Sequence, residues 1–158
     1  HMRQQGSGRI INISSVLGLL PMPYGALYAA TKHAVEGYSE SIDHELRTRG
    51  IRVCLVEPAY TKTEFDANML QPDAKLEEYS AVRRAIHERF PELLAKGDEP
   101  NVVAVVVVQA ARDDNPKIRY PAGGKARGLS LLRRFAPAAM LDAGIRRDLQ
   151  LDKQADPA

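Results

Sequence analysis

The feature that most constrains the fold is a pair of short β-branched segments separated by one long helical stretch. Residues 9–13 and 51–56 are rich in isoleucine and valine, which is typical of buried strands. Residues 26–49 have helical spacing, and Gly50 stands where a C-terminal helix cap is expected. A strand, a helix and a strand with short links form a βαβ unit. The pattern predicts an α/β fold, and further strands must complete the sheet because two strands are not stable alone.

The predicted long helix carries two sets of side chains. Its apolar or small residues recur at helical spacing and are expected on one face; they are Ala30, Ala34, Tyr38, Ile42 and Leu46. Its charged residues are expected on the other faces; they are Lys32, Glu36, Glu40, Asp43 and Arg47.

The remainder of the chain predicts mainly helices. Residues 66–97 are charged and compatible with a helix that breaks near Pro91. The valine-rich segment 100–112 has strand propensity, but an acidic residue and a proline at its start favour a helix. We expect a third strand at 118–120 and a broken, basic, amphipathic helical tail over 129–149.

Composition places the chain among ordinary soluble proteins. With 158 residues and 44% hydrophobic residues, we expect one domain over 1–158, with 129–158 as a basic tail. The single cysteine, Cys54, cannot form an internal disulfide, and there is no apolar run of membrane-spanning length. The four histidines lack metal-ligand spacing, so no metal site is expected. These features predict a cytoplasmic protein.

Positive charge is concentrated near the end of the chain. The net charge is only +2, yet residues 117–147 hold eight basic residues and one acidic residue. Such a segment is most often a solvated face, and without interleaved aromatic residues we expect no nucleic-acid binding. Contact with an anionic membrane surface is a second interpretation.

Tyr28 and Lys32 are four residues apart in the predicted helix and therefore project from one face. A nearby cation stabilises phenolate over phenol and lowers the pKa of a tyrosine, which suits the side chain to general acid–base work. The pair alone also occurs by chance in many helices.

Polar residues follow both predicted strands. Ser15 ends the segment Asn-Ile-Ser-Ser and precedes Tyr28 by thirteen residues, while residues 57–63 follow the second strand. Because the carboxyl ends of parallel strands meet at one edge of a sheet, Ser15, Tyr28 and Lys32 are expected to converge there. Ordinary capping and turn formation is the alternative for the serines and Thr63.

These motifs together resemble the C-terminal part of the short-chain dehydrogenase/reductase family. The resemblance is carried by residues 12–15, by Tyr28-x-x-x-Lys32, and by the segments 56–63 and 119–123. It implies a Rossmann-like, three-layer parallel sheet, of which this chain supplies the second half of the doubly wound arrangement.

The resemblance also implies residue roles. Ser15 would hydrogen-bond the substrate oxygen, Tyr28 would exchange the proton, and Lys32 would lower the pKa of that tyrosine and bind the nicotinamide ribose. The loop that would hold the nicotinamide carboxamide matches at Pro58, Thr61 and Thr63. The implied cofactor is NAD or NADP, and the implied substrate is a small alcohol or carbonyl compound.

Apolar residues around Ser15 suggest a lipophilic substrate, by resemblance to steroid- and retinol-type members. Leu17 and Tyr60 are expected to line the substrate pocket with Ser15; the neighbouring apolar residues are Val16, Leu19, Leu20 and Met22. One departure from the family is Ala59, where a glycine is usual. Alanine loses the free access of glycine to positive φ.

The larger departure is that no glycine-rich phosphate-binding turn precedes a helix in this sequence. The family's first strands, and the helix asparagine of its proton relay, are also missing. We therefore expect the N-terminal cofactor-binding half to be absent and this segment alone to be inactive. The alternative is a non-catalytic dimerisation module, because the long helix forms part of the family's dimer interface. Either interpretation predicts a homo-oligomer.

Overall fold

The computed structural model describes residues 1–65, 68 and 73–151. Within these residues, three parallel strands form one sheet in the order β1, β2, β3. They are β1 (Gly8–Ile13), β2 (Ile51–Pro58) and β3 (Arg119–Ala122). The α-helices of the described part are α1 (Met2–Gln5), α2 (Ala26–Leu46), α3 (Ser80–Ala95), α4 (Pro100–Arg112), α5 (Gly123–Phe135) and α6 (Ala138–Asp148). Short 3₁₀ turns cover Val16–Gly18, Arg47–Arg49 and Glu77–Tyr79.

The register brings the strand ends to one edge of the sheet. Ile13, the last residue of β1, pairs with Val56, and Ala122, the last residue of β3, pairs with Pro58. The loops that follow the strands therefore start next to each other, at the edge where open parallel sheets bind ligands.

Helices cover both faces of the sheet. On one face α4 packs on β2 and β3 in a cluster of Cys54, Val56, Val106, Ala110, Tyr120 and Ala122. On the other face lies α2, whose Ser39 accepts a 2.9 Å hydrogen bond from Asn12 Nδ2 and whose Asp43 accepts one of 2.8 Å from the Val53 N–H. The expected three-layer, Rossmann-like α/β arrangement is confirmed.

The predicted orientation of α2 is wrong. Tyr38 is 62% exposed, and Ala30 and Ala34 also face solvent, whereas Glu36 is only 4% exposed and Asp43 is fully buried. The charged side chains can lie against the sheet because arginines pair with them, Arg119 with Glu36 and Arg52 with Asp43. Hydrophobic periodicity cannot detect a face that is buried through ion pairs.

Most of the predicted boundaries agree with the structure. β1 and β2 occur where expected, although β2 continues through Pro58. β3 begins one residue later than predicted and ends two residues later. The segment 100–112 is the helix α4, with Pro100 in its first turn as expected. The valines that suggested a strand supply Val106 to the core instead.

Two predictions for the second half of the chain differ from the structure. The helix α3 continues through Pro91 instead of breaking there. Pro91 is exposed, and a proline within a helix cannot donate a backbone hydrogen bond to the preceding turn. The tail is a broken pair of helices, as predicted, but α5 begins at Gly123 rather than near residue 129. Residues 66, 67, 69–72 and 152–158 of these predicted segments lie outside the described residues. Among the described helices, none is both long and apolar enough to cross a membrane.

Candidate active site

Ser15 is fixed by the end of β1. The Ser14 N–H donates to the Val56 carbonyl at 2.8 Å and thereby continues the pairing with β2. The Ser15 hydroxyl oxygen then accepts from the Leu17 N–H at 3.1 Å and caps the short 3₁₀ turn. The same hydroxyl donates toward the Pro58 carbonyl at 3.5 Å. The buried Ser15 is thus held between the ends of two strands, and capping accounts for only part of its environment.

Tyr28 lies in the first turn of α2, where its side chain reaches the Ser15 hydroxyl. Burial raises the pKa of Tyr28, and a hydrogen bond with the Ser15 side chain opposes that rise without reversing it. The ring also packs edge-on against Phe65, with 5.3 Å between the ring centroids. The side chain is therefore partly desolvated and is protonated at neutral pH.

Lys32 follows one turn after Tyr28. Its Nζ lies 5.6 Å from the centroid of the Tyr28 ring and donates to the Ile13 carbonyl at 3.1 Å. Burial lowers the pKa of Lys32, while the negative charge of Glu36 raises it. Burial is the largest influence on the Tyr28 pKa, and the role of Lys32 in lowering that pKa stays a prediction.

The loop after β2 contributes less directly. Thr61 donates from its hydroxyl to the Ala59 carbonyl at 3.1 Å and forms a parallel bridge with Asp98. The Thr63 hydroxyl oxygen accepts from the Phe65 N–H at 3.4 Å. These contacts order the loop, but the described contacts of both threonine side chains are within it.

The two apolar residues predicted to contact substrate occupy different places. Leu17 lies half-buried in the turn beside Ser15. Tyr60 packs edge-on against Phe90 of α3, with 5.8 Å between ring centroids. The structure therefore brings Ser15, Tyr28, Lys32 and Pro58 together, whereas Tyr60 contacts the helical segment that follows the loop.

Sequence reasoning missed a set of charged residues behind this group. Arg119, the first residue of β3, forms ion pairs with Glu57 Oε1 at 2.6 Å, with Glu40 Oε1 at 3.0 Å and with Glu36 Oε2. Glu36 could have been found, because it lies one turn after Lys32. Arg119 could not, since only the register of β3 on β2 brings it to Glu57.

Two further features of the described part of the chain bear on the site. No three histidine, cysteine, aspartate or glutamate side chains there are grouped as metal ligands. An open groove of about 470 Å³ includes Thr63 and Leu94 in its lining but none of Ser15, Tyr28 or Lys32.

Known proteins resemble this chain both in sequence and in fold. Residues 1–74 match the family model described as short chain dehydrogenase. An uncharacterised oxidoreductase of Schizosaccharomyces pombe is 36% identical over 121 residues, covering 77% of this chain and 51% of that protein. The 3-ketodihydrosphingosine reductase of Bacteroides thetaiotaomicron is 32% identical over 125 residues, covering 78% and 46%.

The fold matches solved structures as well. A short chain dehydrogenase from Burkholderia cenocepacia in complex with NADP superposes with a TM-score of 0.66 at 20% identity, covering 91% of this chain and 49% of that one. The chain spans about half the length of the curated relatives it matches.

Proposed function

Because the chain belongs to the short-chain dehydrogenase/reductase family, we propose that residues 1–158 form the catalytic segment of an NAD(P)-dependent oxidoreductase. The reaction interconverts an alcohol and a ketone or aldehyde. The observation that carries the proposal is the contact of Tyr28 with the Ser15 hydroxyl on one side and with Lys32 on the other.

Each of the three side chains has a distinct task. The Ser15 hydroxyl hydrogen-bonds the substrate oxygen and orients it toward Tyr28. In carbonyl reduction the Tyr28 hydroxyl donates its proton to that oxygen, and the raised pKa of Tyr28 keeps this proton in place at neutral pH. The Lys32 ammonium then stabilises the tyrosinate that remains. In alcohol oxidation the same atoms move the proton in the opposite direction.

The side chains also fit the nicotinamide-ribose end of the cofactor. The Lys32 ammonium has three N–H groups, of which one donates to the Ile13 carbonyl, so two are available for ribose hydroxyls. Pro58 ends β2, and Thr61 and Thr63 follow it at the same edge of the sheet. When bound, NAD or NADP accepts or supplies the hydride. This sequence has no glycine-rich turn for the pyrophosphate, so we expect residues 1–158 alone to bind the cofactor weakly and to be inactive.

The substrate is proposed to be lipophilic. Leu17 and Phe65 place apolar surface next to Ser15 and Tyr28, respectively. The name of the Bacteroides relative, a 3-ketodihydrosphingosine reductase, supports a ketone on a long apolar chain.

The unpaired, buried Cys54 in β2 supports a reducing location such as the cytoplasm.

We further propose that the protein is a homo-oligomer that uses the outer face of α2. Leu27 is 85% exposed and Tyr38 is also exposed on this helix. Large apolar side chains on one exposed face are typical of a protein interface.

The test is a fusion in which residues 1–158 follow the upstream half of an aligned relative. Tyr28→Phe removes the proton donor and is expected to lower NADPH-dependent carbonyl reduction by roughly 100-fold or more. Tyr38→Phe, the same chemical change at an exposed position of the same helix, is expected to leave the rate unchanged. Residues 1–158 without the upstream half are expected to give the background rate.

Two results would contradict this function. One is near-normal turnover by the Tyr28→Phe fusion across a panel of long-chain and short-chain ketones. The other is a folded fusion that binds NADPH and reduces none of them.

A further inference from the structure

Arg119 lies between two buried carboxylates that belong to different elements. Glu57 ends the buried part of β2 and is fully buried, and Glu36 on α2 is nearly so. Arg119 Nη1 donates to Glu57 Oε1 at 2.6 Å and also to Glu36 Oε2. The half-exposed Glu40 completes the set at 3.0 Å from Arg119 Nη2. A single guanidinium thus pairs with carboxylates from the helix and from the strand, and it offsets part of their negative charge.

These carboxylates are directly attached to the segments that carry the candidate catalytic groups. Glu36 lies one turn after Lys32 in α2, and its charge raises the pKa of Lys32. A Cβ at Gly18 would lie 2.7 Å from Glu36 Cγ, so the turn after Ser15 packs closely on Glu36. Glu57 precedes Pro58, whose carbonyl accepts from the Ser15 hydroxyl.

The charge balance of the cluster depends on Arg119. Glu36 Oε1 and Glu57 Oε2 are buried without a hydrogen-bond partner among the described contacts. Burial raises the pKa of Glu57, which the hydrogen bond from Arg119 opposes. An uncompensated buried carboxylate is costly and spreads its field through a medium of low dielectric constant. Removing Arg119 therefore increases the net negative charge next to Lys32.

We propose that Arg119 is a positioning residue that sets the electrostatic potential at the Tyr28–Lys32 pair by offsetting part of the negative charge of Glu36 and Glu57. Its importance for catalysis rests on the proposed function. The expected effect on Tyr28 ionisation does not, because it concerns only charges within this chain and is measured without turnover.

The direction of the effect follows from the sign of each charge. In the alkaline range where a tyrosine titrates, both carboxylates are ionised, so Arg119→Met makes the potential at Tyr28 more negative and its phenolate less stable. Glu36→Gln removes a negative charge and has the opposite effect. The other groups facing the cluster are Glu40 and Lys32 of α2 and Ser130 of α5; none of them changes in these variants.

The experiment measures Tyr28 ionisation in residues 1–158. Phenolate absorbance is titrated in the chain and in its Tyr28→Phe variant, and the difference gives the Tyr28 curve. Arg119→Met is expected to move that curve to higher pH by about 0.5 to 1 unit, and Glu36→Gln to lower pH by a similar amount. In the fusion, the alkaline limb of the kcat/KM profile for alcohol oxidation is expected to shift in the same directions.

Arg52→Met is the matched control. It also removes an arginine from a buried carboxylate of α2, Asp43, but at the opposite end of β2 from the site. It is expected to lower stability without moving the Tyr28 curve. Circular dichroism at each pH shows which variants are folded. If Arg119→Met does not fold, Glu36→Gln and Arg119→Lys decide the question. Arg119→Lys keeps the positive charge and is expected to leave the Tyr28 curve in place.

Opposite shifts in Arg119→Met and Glu36→Gln support the inference, and any other combination overturns it. If the shifts occur but Tyr28→Phe keeps its turnover in the fusion, the proposed function fails and the electrostatic role of Arg119 stands. If Tyr28→Phe abolishes turnover and the curves do not move, only the role of Arg119 fails.

Discussion

Asp43 illustrates how single residues of this chain make a buried charge compatible with folding. Its side chain is 1% exposed. Burial by itself raises the pKa of Asp43, but hydrogen bonds from Arg52, from the Val53 N–H and from Arg47 outweigh burial and lower the pKa from 3.8 to about 2. The carboxylate is therefore ionised throughout the physiological range and ties α2 to the start of β2.

Asp43→Asn is expected to lower the free energy of unfolding at neutral pH by about 3 kcal/mol, because two arginines lose their buried partner. Arg47→Ala is the matched control and should cost less than about 1 kcal/mol, since the Arg47 side chain is 46% exposed. Urea unfolding measures both. Equal losses in the two variants would contradict the assigned burial.

The same residue sets part of the acid sensitivity. A pKa lowered from 3.8 to about 2 in the folded chain stabilises the fold above the unfolded value and loses that effect as pH falls toward 2. The contribution is about 2 kcal/mol, and the Asn variant should lack this part of the pH dependence.

The candidate site was predictable to the extent that it depends on local spacing. Tyr28 and Lys32 share a helix, and Ser15 ends a strand, so their convergence follows from periodicity and from the geometry of parallel sheets. Arg119 reaches Glu36 across 83 residues of sequence. That contact requires the pairing of β3 with β2, which no local pattern encodes.

At the scale of elements, the junction between α2 and β2 depends on one glycine. Gly50 has a φ of 69°, and a Cβ there would lie 2.0 Å from the Gly6 carbonyl oxygen. The junction thus combines a left-handed backbone with a close approach of two chain segments. Gly6 has a similar φ of 71°, but a Cβ there would meet no atom within 4 Å.

This contrast gives a paired prediction. Gly6→Ala is expected to lower the free energy of unfolding by about 1 kcal/mol, because alanine is strained in the left-handed conformation. Gly50→Ala has the same strain and also displaces backbone, so it should lower the free energy of unfolding by about 2 kcal/mol more. Chemical denaturation of the two variants side by side measures the difference, and equal destabilisation would show that the close contact is relieved without cost.

The elements themselves show where periodicity succeeds and fails. α4 was predictable because its proline start outweighs the strand propensity of valine, and the two longer strands were predictable from their β-branched residues. The inward face of α2 was not, because Glu36 and Asp43 are buried by pairing with arginines of the strands, Arg119 of β3 and Arg52 of β2. The predicted break of α3 at Pro91 also depended on context that the local pattern does not contain, because this proline is exposed in the folded chain.

For the molecule as a whole, two surfaces favour association. Among the described residues, β1 pairs with β2 on one side only, and an unpaired strand edge is a template for another strand. The outer face of α2 adds the exposed side chains of Leu27 and Tyr38.

Residues 1–158 are therefore expected to form dimers or larger species in light scattering over a range of concentrations. A Leu27→Glu, Tyr38→Glu double variant should dissociate them if α2 forms the contact, because it buries charge in an apolar interface. Ala34→Glu on the same exposed side is a milder control, since it replaces no large apolar side chain. A strictly monomeric 17.4 kDa species at every concentration would refute the association.

The packing of Gly18 on Glu36 also bears on how the sequence can change over evolution. A side chain at position 18 would displace the carboxylate, and that carboxylate shares its guanidinium with Glu57. A larger residue at position 18 clashes with Glu36, and loss of Arg119 leaves two buried carboxylates without their cation. We therefore expect positions 18, 36, 57 and 119 to covary among related sequences. Their covariation would distinguish the relatives that keep this cluster from those that have lost it.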